Sequence, residues 1–507
     1  MKTILEKFEE NVKRFPSKII FADKDTSITY QDFEIECKSI ATQIAKLGIR
    51  NNPIAVFDNR NKDTLIAMFA VLYSGNYYVI VDSASPADRI QKIYDVLNPT
   101  LTICEEKNKM LFEELNTKSQ LNILEEMLKV KTVDEQLLNI VRRKQISTDP
   151  AYALFTSGST GMPKGTILSH ANILAYIEWF QQEFNITEET CFGNQTPFYF
   201  SMSVSDIYAT VYTGATFNIV PKSYFSFPIQ LVNFLNERKI NTIYWVPSAL
   251  CIVANLKLFD FAKPEHLKKV LFAGEVMPNK QLNYWRKHLP DVMYANLFGP
   301  TETTDICTFY VVNREFKDDE GLPIGVACNN CDSFLVDDNG RLIEEQGVMG
   351  ELYVRGPFVA YGYYNNPEKT SSAFVQNPLH NNYPEFVYKT GDLAKINQYG
   401  EYEYAGRKDF QIKHMGYRIE LGEIETAASA IDKVSSVVCV YDQNQDLIVM
   451  IYEGRISEED LLEQVKTKIP KYMVPNVMVK VKQMPFNQNG KIDRSYLKNN
   501  YKNLMNK

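Results

Sequence analysis

Hydrophobic residues along this chain fall into short strand-like runs and longer stretches with helical spacing. Continuous apolar runs occur at residues 54–57, 77–81, 216–220 and 242–246. Helix-like stretches lie at residues 62–73 and 228–237. Strands that alternate with helices are typical of α/β layers, so this pattern predicts a large N-terminal α/β region.

The pattern changes near residue 330 and again beyond Gly406. The segments FLVDDNGRL, GELYVRG and AKINQYGEYEY each read as strand, turn and strand, which predicts a smaller β-rich part. The stretch QIKHMGYRIELGEIETAASAI then reads as a short strand, a glycine turn and a helix that begins near Leu421. Residues 437–440 and 447–452 are expected to pair as strands, followed by a helix at 457–468.

Length and charge narrow the class of protein. A chain of 507 residues exceeds a single hydrophobic core, and an apolar fraction of 45% is typical of globular proteins. We therefore predict two domains, a large one at residues 1–408 and a small one at 409–507. A net charge of −7 without a basic stripe predicts no nucleic-acid or membrane-surface partner.

The cysteines and the N-terminus indicate a compartment. Residues 1–16 read as an amphipathic helix ended by Pro16 rather than as a signal peptide, and no apolar run is long enough to span a bilayer. Eight scattered cysteines fit a reducing cytoplasm, which is the location we expect. Cys328 and Cys331 have metal or redox spacing, but without a second such pair we expect them to be structural.

The segment LFTSGSTGMPKG, residues 154–165, has the composition of a phosphate-binding loop. Two glycines permit close approach of an anion, three hydroxyl side chains supply donors, and Lys164 adds a positive charge. It differs from the P-loop of kinases and ATPases, because Pro163 stands where that pattern has its second glycine. Taken alone, the segment leaves a flexible surface turn open as the alternative.

Further motifs follow the loop in a fixed order. They are NLFGPTETT at residues 296–304, YKTGD at 388–392, GRKDFQIKHMGYRIELGEIE at 406–425 and NGKIDR at 489–494. This series resembles that of the adenylate-forming superfamily, which contains acyl-CoA synthetases, adenylation domains of non-ribosomal peptide synthesis and luciferases. NQTPFYF at 194–200 and FAGEVMP at 272–278 look most like stand-alone amino-acid adenylation enzymes such as D-alanine–carrier-protein ligases.

The resemblance implies a fold and an activity. The fold would be α/β, with a large N-terminal domain of stacked α/β subdomains and a small β-barrel-like part, followed by a small mobile α+β domain. The activity would be that of an AMP-forming acid–thiol ligase, which uses ATP and Mg²⁺ to activate a carboxylic acid as acyl-AMP. The acyl group would then pass to a thiol.

The resemblance also implies roles for residues at matched positions. Lys164 would hold the β- and γ-phosphates, Glu302 would bind Mg²⁺, and Lys491 would stabilise charge at the α-phosphate, which makes these three the expected catalytic residues. Asp392 would bind the ribose hydroxyls, and Phe298 would stack on adenine. The residues expected to bind ATP or AMP are Thr156, Ser157, Gly158, Ser159, Thr160, Lys164, Gly274, Glu275, Asn296, Phe298, Gly299, Thr301, Asp392, Arg407 and Lys491.

Two half-reactions require two arrangements of the small domain. By the resemblance, the domain would rotate about a hinge at Asp409, and Gly416 would line the tunnel for the thiol. Because the sequence ends shortly after NGKIDR, we expect the thiol to belong to the phosphopantetheine arm of a separate carrier protein. Coenzyme A is the alternative acceptor, and a catalytically silent nucleotide-binding regulatory protein is an alternative of another class.

The substrate pocket departs from the family pattern. In the segment FSMSV, Ser201 stands where α-amino-acid enzymes have the aspartate that pairs with the substrate amine. Asp305, directly after GPTETT, is a candidate replacement for that aspartate. We therefore expect the substrate to be a β- or ω-amino acid or an aminoaryl acid. The alternative is that Asp305 faces water or pairs with a lysine. The D-alanine ligases carry a bulkier cysteine at Ala273, which predicts a larger substrate. The expected pocket residues are Ser201, Met202, Ser205, Tyr244, Leu271, Ala273, Leu297, Asp305 and Ile306.

Overall fold

The computed structural model of the protein describes residues 2–158, 162–318, 320–408, 411–443, 445–485 and 492–505. The strands are β1 Ile19–Ala22, β2 Ser27–Thr29, β3 Pro53–Asp58, β4 Tyr77–Asp82, β5 Leu101–Cys104, β6 Gln120–Ile123, β7 Pro150–Thr156, β8 Lys164–Ser169, β9 Cys191–Asn194, β10 Thr216–Ile219, β11 Thr242–Trp245, β12 Lys269–Ala273, β13 Met293–Phe298, β14 Thr308–Val311, β15 Val326–Ala327, β16 Asp332–Val336, β17 Leu342–Ile343, β18 Met349–Arg355, β19 Gly362–Tyr363, β20 Phe374–Gln376, β21 Phe386–Ile396, β22 Tyr402–Arg407, β23 Gln411–His414, β24 Tyr417–Glu420, β25 Val434–Asp442, β26 Leu447–Gly454 and β27 Val477–Lys480. The helices are α1 Ile4–Arg14, α2 Tyr30–Ala45, α3 Lys62–Tyr73, α4 Ala87–Leu97, α5 Lys109–Glu113, α6 Leu124–Lys129, α7 Glu135–Lys144, α8 His170–Glu183, α9 Met202–Thr213, α10 Pro228–Glu237, α11 Pro247–Asn255, α12 Asn279–His288, α13 Pro367–Ala373, α14 Leu421–Ser429, α15 Glu458–Lys466 and α16 Arg494–Leu504.

Two large, mostly parallel sheets form the first two thirds of the chain. One has seven strands in the order β19-β8-β7-β4-β3-β5-β6, and the other has nine in the order β15-β14-β13-β12-β11-β9-β10-β1-β2. Strand β3 is buried at every residue, and α3 beside it is buried from its third residue onward. Strands that are apolar on both faces are expected where helices cover a parallel sheet.

Helix α9 lies where the two sheets meet. Its Tyr208 stacks on Tyr152 of β7, with ring centroids 6.3 Å apart, and its hydroxyl lies 2.7 Å from that of Tyr78 in β4. The same helix packs against β9 and β10 of the other sheet. One hydrophobic core therefore joins both sheets and fixes how their strand ends face each other.

The β-rich part is a six-stranded antiparallel sheet. Its main path runs β17-β16-β18-β21-β20, and β22 pairs with β21 beyond the end of β20. Strand β21 carries the YKTGD motif, so this sheet delivers Asp392 toward the two larger sheets.

The C-terminal part consists of a hairpin, a three-stranded sheet and three helices. Strands β25 and β26 pair antiparallel, β27 adds in parallel, and α14, α15 and α16 pack around them. The hairpin β23–β24 turns at Met415 and Gly416, whose φ angles of 50° and 80° suit a tight two-residue turn. This part builds its own hydrophobic clusters, which include Ile424, Tyr452 and Leu497.

The α/β fold predicted from the sequence is confirmed, with small differences in detail. Helices α3 and α10 have the predicted bounds, and the predicted strand pair near residue 440 is β25–β26. The stretch beyond Gly406 contains a second strand, β24, between the turn and the helix. The division at Asp409 stays a prediction, because that residue lies outside the described residues. No helix in the described part of the chain is long and apolar enough to cross a membrane.

Candidate active site

A cavity opens at the carboxyl ends of parallel strands in both large sheets. Strand β7 ends at Thr156, β12 at Ala273 and β13 at Phe298, and residues at or just after these ends form its wall. Ligands of open α/β sheets bind in this position, outside the carboxyl ends of the strands. The lining residues are Phe155, Thr156, Ser157, Tyr199, Phe200, Ser201, Met202, Ala273, Gly274, Gly299, Pro300, Thr301, Asp305, Ile306, Asp392, Arg407, Lys413, Gly416, Tyr417, Arg418 and Tyr472.

Most of the residues expected from the sequence lie in or beside this wall. The predicted residues that line it are Thr156, Ser157, Ser201, Met202, Ala273, Gly274, Gly299, Thr301, Asp305, Ile306, Asp392, Arg407 and Gly416. Lys164 lines an adjoining cavity that shares Arg407 and Arg418 with the first. Four expected residues, Ser159, Thr160, Asp409 and Lys491, lie outside the described residues, so their roles stay predictions.

Asp392 and Arg407 form a buried ion pair at one end of the cavity. They are register partners on β21 and β22, so the sheet itself holds the carboxylate beside the guanidinium. Arg407 Nη1 donates to Asp392 Oδ1 at 2.8 Å, and Nη2 donates to the carbonyl of Thr390 at 3.1 Å. Asp392 is almost fully buried, and this pairing fixes the direction of its carboxylate.

Phe298 and Asn296 lie at the end of β13, next to this pair. Lys413 Nζ lies 4.3 Å from the centroid of the Phe298 ring and covers one face of it. Burial lowers the pKa of Lys413. Asn296 Nδ2 donates to the carbonyl of Pro323 at 2.8 Å, so this amide is engaged within the protein.

Glu302 is the centre of a buried charge cluster. Its Oε1 accepts from the Tyr363 hydroxyl at 2.6 Å and lies 3.2 Å from Lys164 Nζ, while Oε2 lies 2.5 Å from Arg418 Nη1. Glu302 is fully buried, and Lys164 is nearly so. The cluster joins the phosphate-loop segment, the GPTETT motif and the C-terminal part through Lys164, Glu302 and Arg418.

The charges in this cluster shift one another. Burial opposes ionisation of Glu302, but Arg418 and Lys164 hold its pKa well below the usual range. Burial and the positive charge of Arg418 lower the pKa of Lys164 to about 8, although Glu302 acts in the opposite direction. Glu302 is therefore an anion at any physiological pH, whereas Lys164 titrates just above neutrality.

The phosphate-loop segment contacts the C-terminal part. Ser157 Oγ donates to the carbonyl of Arg418 at 2.7 Å and accepts from the amide of Glu420 at 3.1 Å. The amide of Gly158 hydrogen-bonds to Glu423, which also forms a buried ion pair with Arg89 of α4. A Cβ at Gly158 would lie 1.9 Å from the carbonyl oxygen of Met162, so only glycine fits this closed loop.

Asp305 projects into the other end of the cavity and is almost fully buried. Its Oδ2 accepts from Ser205 at 2.8 Å, from Tyr244 at 3.0 Å and from Tyr176 at 3.3 Å. Burial raises its pKa to about 6, although hydrogen bonds from these hydroxyls and from Ser201 oppose the shift. Asp305 therefore neither points to water nor pairs with a lysine among the described residues.

The remaining pocket residues fall into three groups. Ser201, Met202, Ala273 and Ile306 line the cavity together with Asp305. Ser205 and Tyr244 stand behind Asp305 and hold its carboxylate. Leu271 and Leu297 are packed in the hydrophobic core and do not form part of the wall described here.

The hairpin turn at Gly416 closes one side of the cavity. Gly416 donates its amide to Glu275 Oε1 at 2.6 Å, and the other oxygen of Glu275 accepts from the amide of Ser248. Gly274 precedes this glutamate at a φ of 92°, which favours glycine. A Cβ on Gly416 would lie 2.5 Å from Val246 Cγ1, so the turn leaves no room for a side chain.

Several cavity residues were not singled out from the sequence. Lys413 and Arg418 are register partners on β23 and β24, and both line the cavity. Tyr417 stacks on Tyr472 with ring centroids 3.7 Å apart. Both residues lie inside the motif at residues 406–425. A hairpin predicted there would place Lys413 and Arg418 opposite each other on one face, and this is the signal that could have identified them.

The described residues contain no group of three or more histidine, cysteine or acidic side chains able to hold a metal ion. Cys328 and Cys331 do not belong to such a group, and burial raises the pKa of both thiols far above the usual range. The structural role expected for the pair stays a prediction.

Several known proteins are similar to this chain in sequence or in fold. The L-proline--[L-prolyl-carrier protein] ligase of Pseudomonas fluorescens is 31% identical over 511 residues, which cover 97% of this chain and 98% of that protein. The chain spans 11% and 44% of the lengths of gramicidin S synthases 2 and 1 of Brevibacillus brevis, each 30% identical to it. The Vibrio cholerae adenylation domain AlmE, solved with glycyl-adenosine-5'-phosphate, shares the fold with a TM-score of 0.84 at 21% identity, covering 99% of this chain and 98% of that one.

The family assignment rests on most of the chain. The model of the family described as AMP-binding enzyme matches residues 8–364, which include the phosphate-loop segment and the GPTETT motif. The resemblance to adenylation enzymes inferred from the motifs is thereby confirmed. The chain belongs to the AMP-binding enzymes.

Proposed function

We propose that this enzyme activates an amino acid with ATP as acyl-AMP, releases pyrophosphate, and transfers the acyl group to the phosphopantetheine thiol of a separate carrier protein. The observation that carries the proposal is the buried Asp392–Arg407 pair in the cavity wall together with the buried Lys164–Glu302 pair, whose lysine lines the adjoining cavity. One pair suits a ribose, and the other suits a polyphosphate.

In the first half-reaction, a carboxylate oxygen of the acid attacks the α-phosphorus of ATP, and the bond to pyrophosphate breaks. Lys164, charged below about pH 8, supplies a cation to the leaving phosphates. Asp392 keeps one carboxylate edge fixed by Arg407 and offers acceptor sites to the ribose hydroxyls. Lys491 is the expected partner of the α-phosphate, and its placement stays a prediction.

Glu302 fits a magnesium ion in its chemistry. Mg²⁺ prefers one or two carboxylates together with substrate phosphates, and Glu302 is a carboxylate held in its ionised form. In the arrangement of the structure, Arg418 and Tyr363 engage both of its oxygens, so the ion would replace Arg418. When bound, Mg²⁺ neutralises charge on the phosphates.

In the second half-reaction, a thiol attacks the acyl carbonyl, and AMP leaves. The turn at Gly416 meets the cavity beside Glu275 and Val246, where the absence of a side chain keeps the backbone close to the wall. We assign this side of the cavity to the entry of the thiol arm. The carrier protein is favoured over coenzyme A because one relative of nearly equal length is named a ligase for a prolyl-carrier protein.

Exchange of labelled pyrophosphate into ATP tests the first half-reaction. With a panel of α-, β- and ω-amino acids and aryl acids, we expect exchange that depends on one class of acid. Asp392→Asn is expected to lower the exchange rate at least about 100-fold, because the charge-assisted contact with the ribose and the ion pair with Arg407 are both lost. Asp332→Asn is a matched control, because Asp332 forms a similar pair with Arg355 on the same sheet but at the surface.

A second assay separates the acceptors. Radiolabelled acid is offered with ATP and either a phosphopantetheinylated carrier protein or coenzyme A, and the thioester formed is counted. Faster transfer to coenzyme A than to every carrier tested would refute carrier loading. If ATP binds but no acid of the panel supports exchange, the silent nucleotide-binding alternative is correct.

A further inference from the structure

The substrate end of the cavity holds a carboxylate that no cation among the described residues neutralises. Asp305 lies in the cavity wall and is 1% exposed, yet none of the ion pairs among the described residues includes it. Its protein partners are hydroxyl groups, three of which donate to the same oxygen, Oδ2. A buried carboxylate that is held by hydroxyl groups alone among the described residues is suited to bind a cationic group of the substrate.

The backbone holds Asp305 in this direction at an energetic cost. Thr304 has φ 69° and ψ −59°, and the amide of Asp305 donates to the carbonyl of Thr303 at 2.8 Å. These values define a γ-turn with positive φ, which is rare and strained for a β-branched residue. The Thr304 hydroxyl donates to the carbonyl of Phe358 at 2.8 Å and fixes the turn. Strain of this kind persists where the surrounding structure enforces it, often at a binding site.

The position of Asp305 relative to Ser201 sets a length. Ser201 directly precedes α9 and lines the cavity, and its hydroxyl helps to oppose the rise in the pKa of Asp305. An ammonium bound to a carboxylate at position 201 would suit an α-amino acid. Asp305 instead reaches the cavity from the turn after the GPTETT motif, so its carboxylate does not occupy that place. A substrate must therefore be longer than an α-amino acid to bring its ammonium to Asp305.

We propose that the acid activated by this enzyme is an aliphatic amino acid whose ammonium group stands on the β carbon or beyond, and that Asp305 binds this ammonium. The inference rests on the proposed function and names its substrate class. A carbon chain of this length would pass Ala273, Met202 and Ile306, whose side chains are apolar or small.

The chemistry favours an ammonium over other donors. Oδ2 already accepts from several hydroxyls, so a further neutral donor adds little, whereas a cation stabilises the ionised carboxylate in a dry pocket. An aryl amine is neutral near pH 7 and does not supply that charge.

A neighbouring carboxylate provides the contrast. Asp206, on the same helix as Ser205, is also buried, but it does not line the cavity and accepts from Asn194 Nδ2 at 3.2 Å. Burial raises its pKa well above the usual range. Asp206→Asn is therefore the matched control for Asp305→Asn: both remove a buried carboxyl, but only Asp305 faces the substrate.

The test measures pyrophosphate exchange for amino acids and for analogues that lack only the amine. The pairs are 3-aminopropanoate with propanoate, 4-aminobutanoate with butanoate, and 5-aminopentanoate with pentanoate. A further comparison, of 4-(aminomethyl)benzoate with 4-aminobenzoate, sets an aliphatic amine against an aryl amine. L- and D-alanine are included. We expect one aliphatic amino acid with a β or more distant amine to exceed its partner by about 100-fold in kcat/KM, the order expected for a buried charge pair.

Variants then assign the effect to Asp305. Asp305→Asn is expected to reduce the ratio of amino acid to desamino acid at least about 10-fold, and Asp206→Asn is expected to keep it. Ser201→Asp combined with Asp305→Asn is expected to move the preference toward α-amino acids. Calorimetric titration with ATP checks that each variant is folded, because Asp305, Asp206 and Ser201 do not lie among the groups proposed to bind the nucleotide.

Each alternative result has a defined meaning. Equal exchange with amino and desamino acids, a preference for alanine, or a preference for 4-aminobenzoate over 4-(aminomethyl)benzoate would overturn the inference while leaving acid activation intact. So would an unchanged ratio in Asp305→Asn. Absence of exchange with every acid, despite ATP binding, would instead overturn the proposed function and this inference with it.

Discussion

Asp305→Asn is expected to stabilise the protein in the absence of substrate, although it removes hydrogen-bonding strength. In the folded protein the pKa of Asp305 is raised to about 6, compared with 3.8 for an aspartate exposed to water. Because the folded pKa is the higher one, the folded state binds this proton more tightly than the unfolded chain does. The free energy of unfolding therefore falls as pH rises from about 4 to above 6.

The pKa shift sets the magnitude. A shift of about 2 units corresponds to about 3 kcal/mol lost at pH 8 relative to a pH below 4, and more than half of it is already lost by pH 5. Asparagine can still accept from Ser205, Tyr244 and Tyr176, but it carries no charge and does not titrate. After subtraction of about 1–2 kcal/mol for weaker hydrogen bonds, a net gain of about 1–2 kcal/mol remains at pH 8.

Thermal unfolding of both proteins between pH 5 and pH 8 measures this difference. We expect the melting temperature of Asp305→Asn to exceed that of the unsubstituted protein at pH 8 by on the order of 2 °C, and the excess to shrink toward pH 5. Asp332→Asn, which removes a half-exposed carboxylate at the surface, is the control for the effect of the substitution itself. A variant that is less stable at every pH, by a constant amount, would refute the assignment of a charge penalty to Asp305.

The remaining predictions concern the phosphate site and the docking of the C-terminal part. Because the Lys164 pKa is lowered to about 8, kcat/KM for ATP should fall as pH rises through that value, and Lys164→Arg should move the fall to higher pH. Arg89→Met removes the cation that pairs with the buried Glu423, so thioester transfer should slow by about 10-fold while pyrophosphate exchange is kept. Adding Glu423→Gln to this variant should recover part of the loss of transfer. Gly416→Ala should also slow thioester transfer. Gly400→Ala is the control and should not slow it, because Gly400 has a similar φ but open space around it. Equal losses of transfer and of pyrophosphate exchange would contradict the role of Arg89 or of Gly416 in docking the C-terminal part.

The sequence predicted the elements whose hydrophobic pattern is strong and local. Helices α3 and α10 have the predicted bounds, because an apolar stretch that continues for several turns has no competing structure. Strand β24 was missed, because four residues after a glycine turn are also consistent with the first turn of the helix that follows. Pairing with β23, which no local pattern contains, decides the matter.

The site was predicted through motifs, and its contacts were not. Asp392 and Arg407 appeared as separate motif residues, whereas their direct pairing depends on the register of two strands. Arg418 was missed because its role depends on the docking of the hairpin onto Glu302, a contact between residues more than a hundred positions apart. Leu271 and Leu297 were expected in the pocket wall, but the packing of β12 and β13 turns them into the core.

The contact of Arg418 with Glu302 makes two binding equilibria interdependent. A ligand cation that takes the Glu302 carboxylate must displace the guanidinium, and a guanidinium that docks must displace the cation. The coupling is reciprocal. If docking of the hairpin weakens the binding of metal and pyrophosphate by some factor, then metal and pyrophosphate weaken docking by the same factor. Under the proposed function, release of the first product and acceptance of the thiol would therefore be coupled through one carboxylate, without a separate signal between the two ends of the cavity.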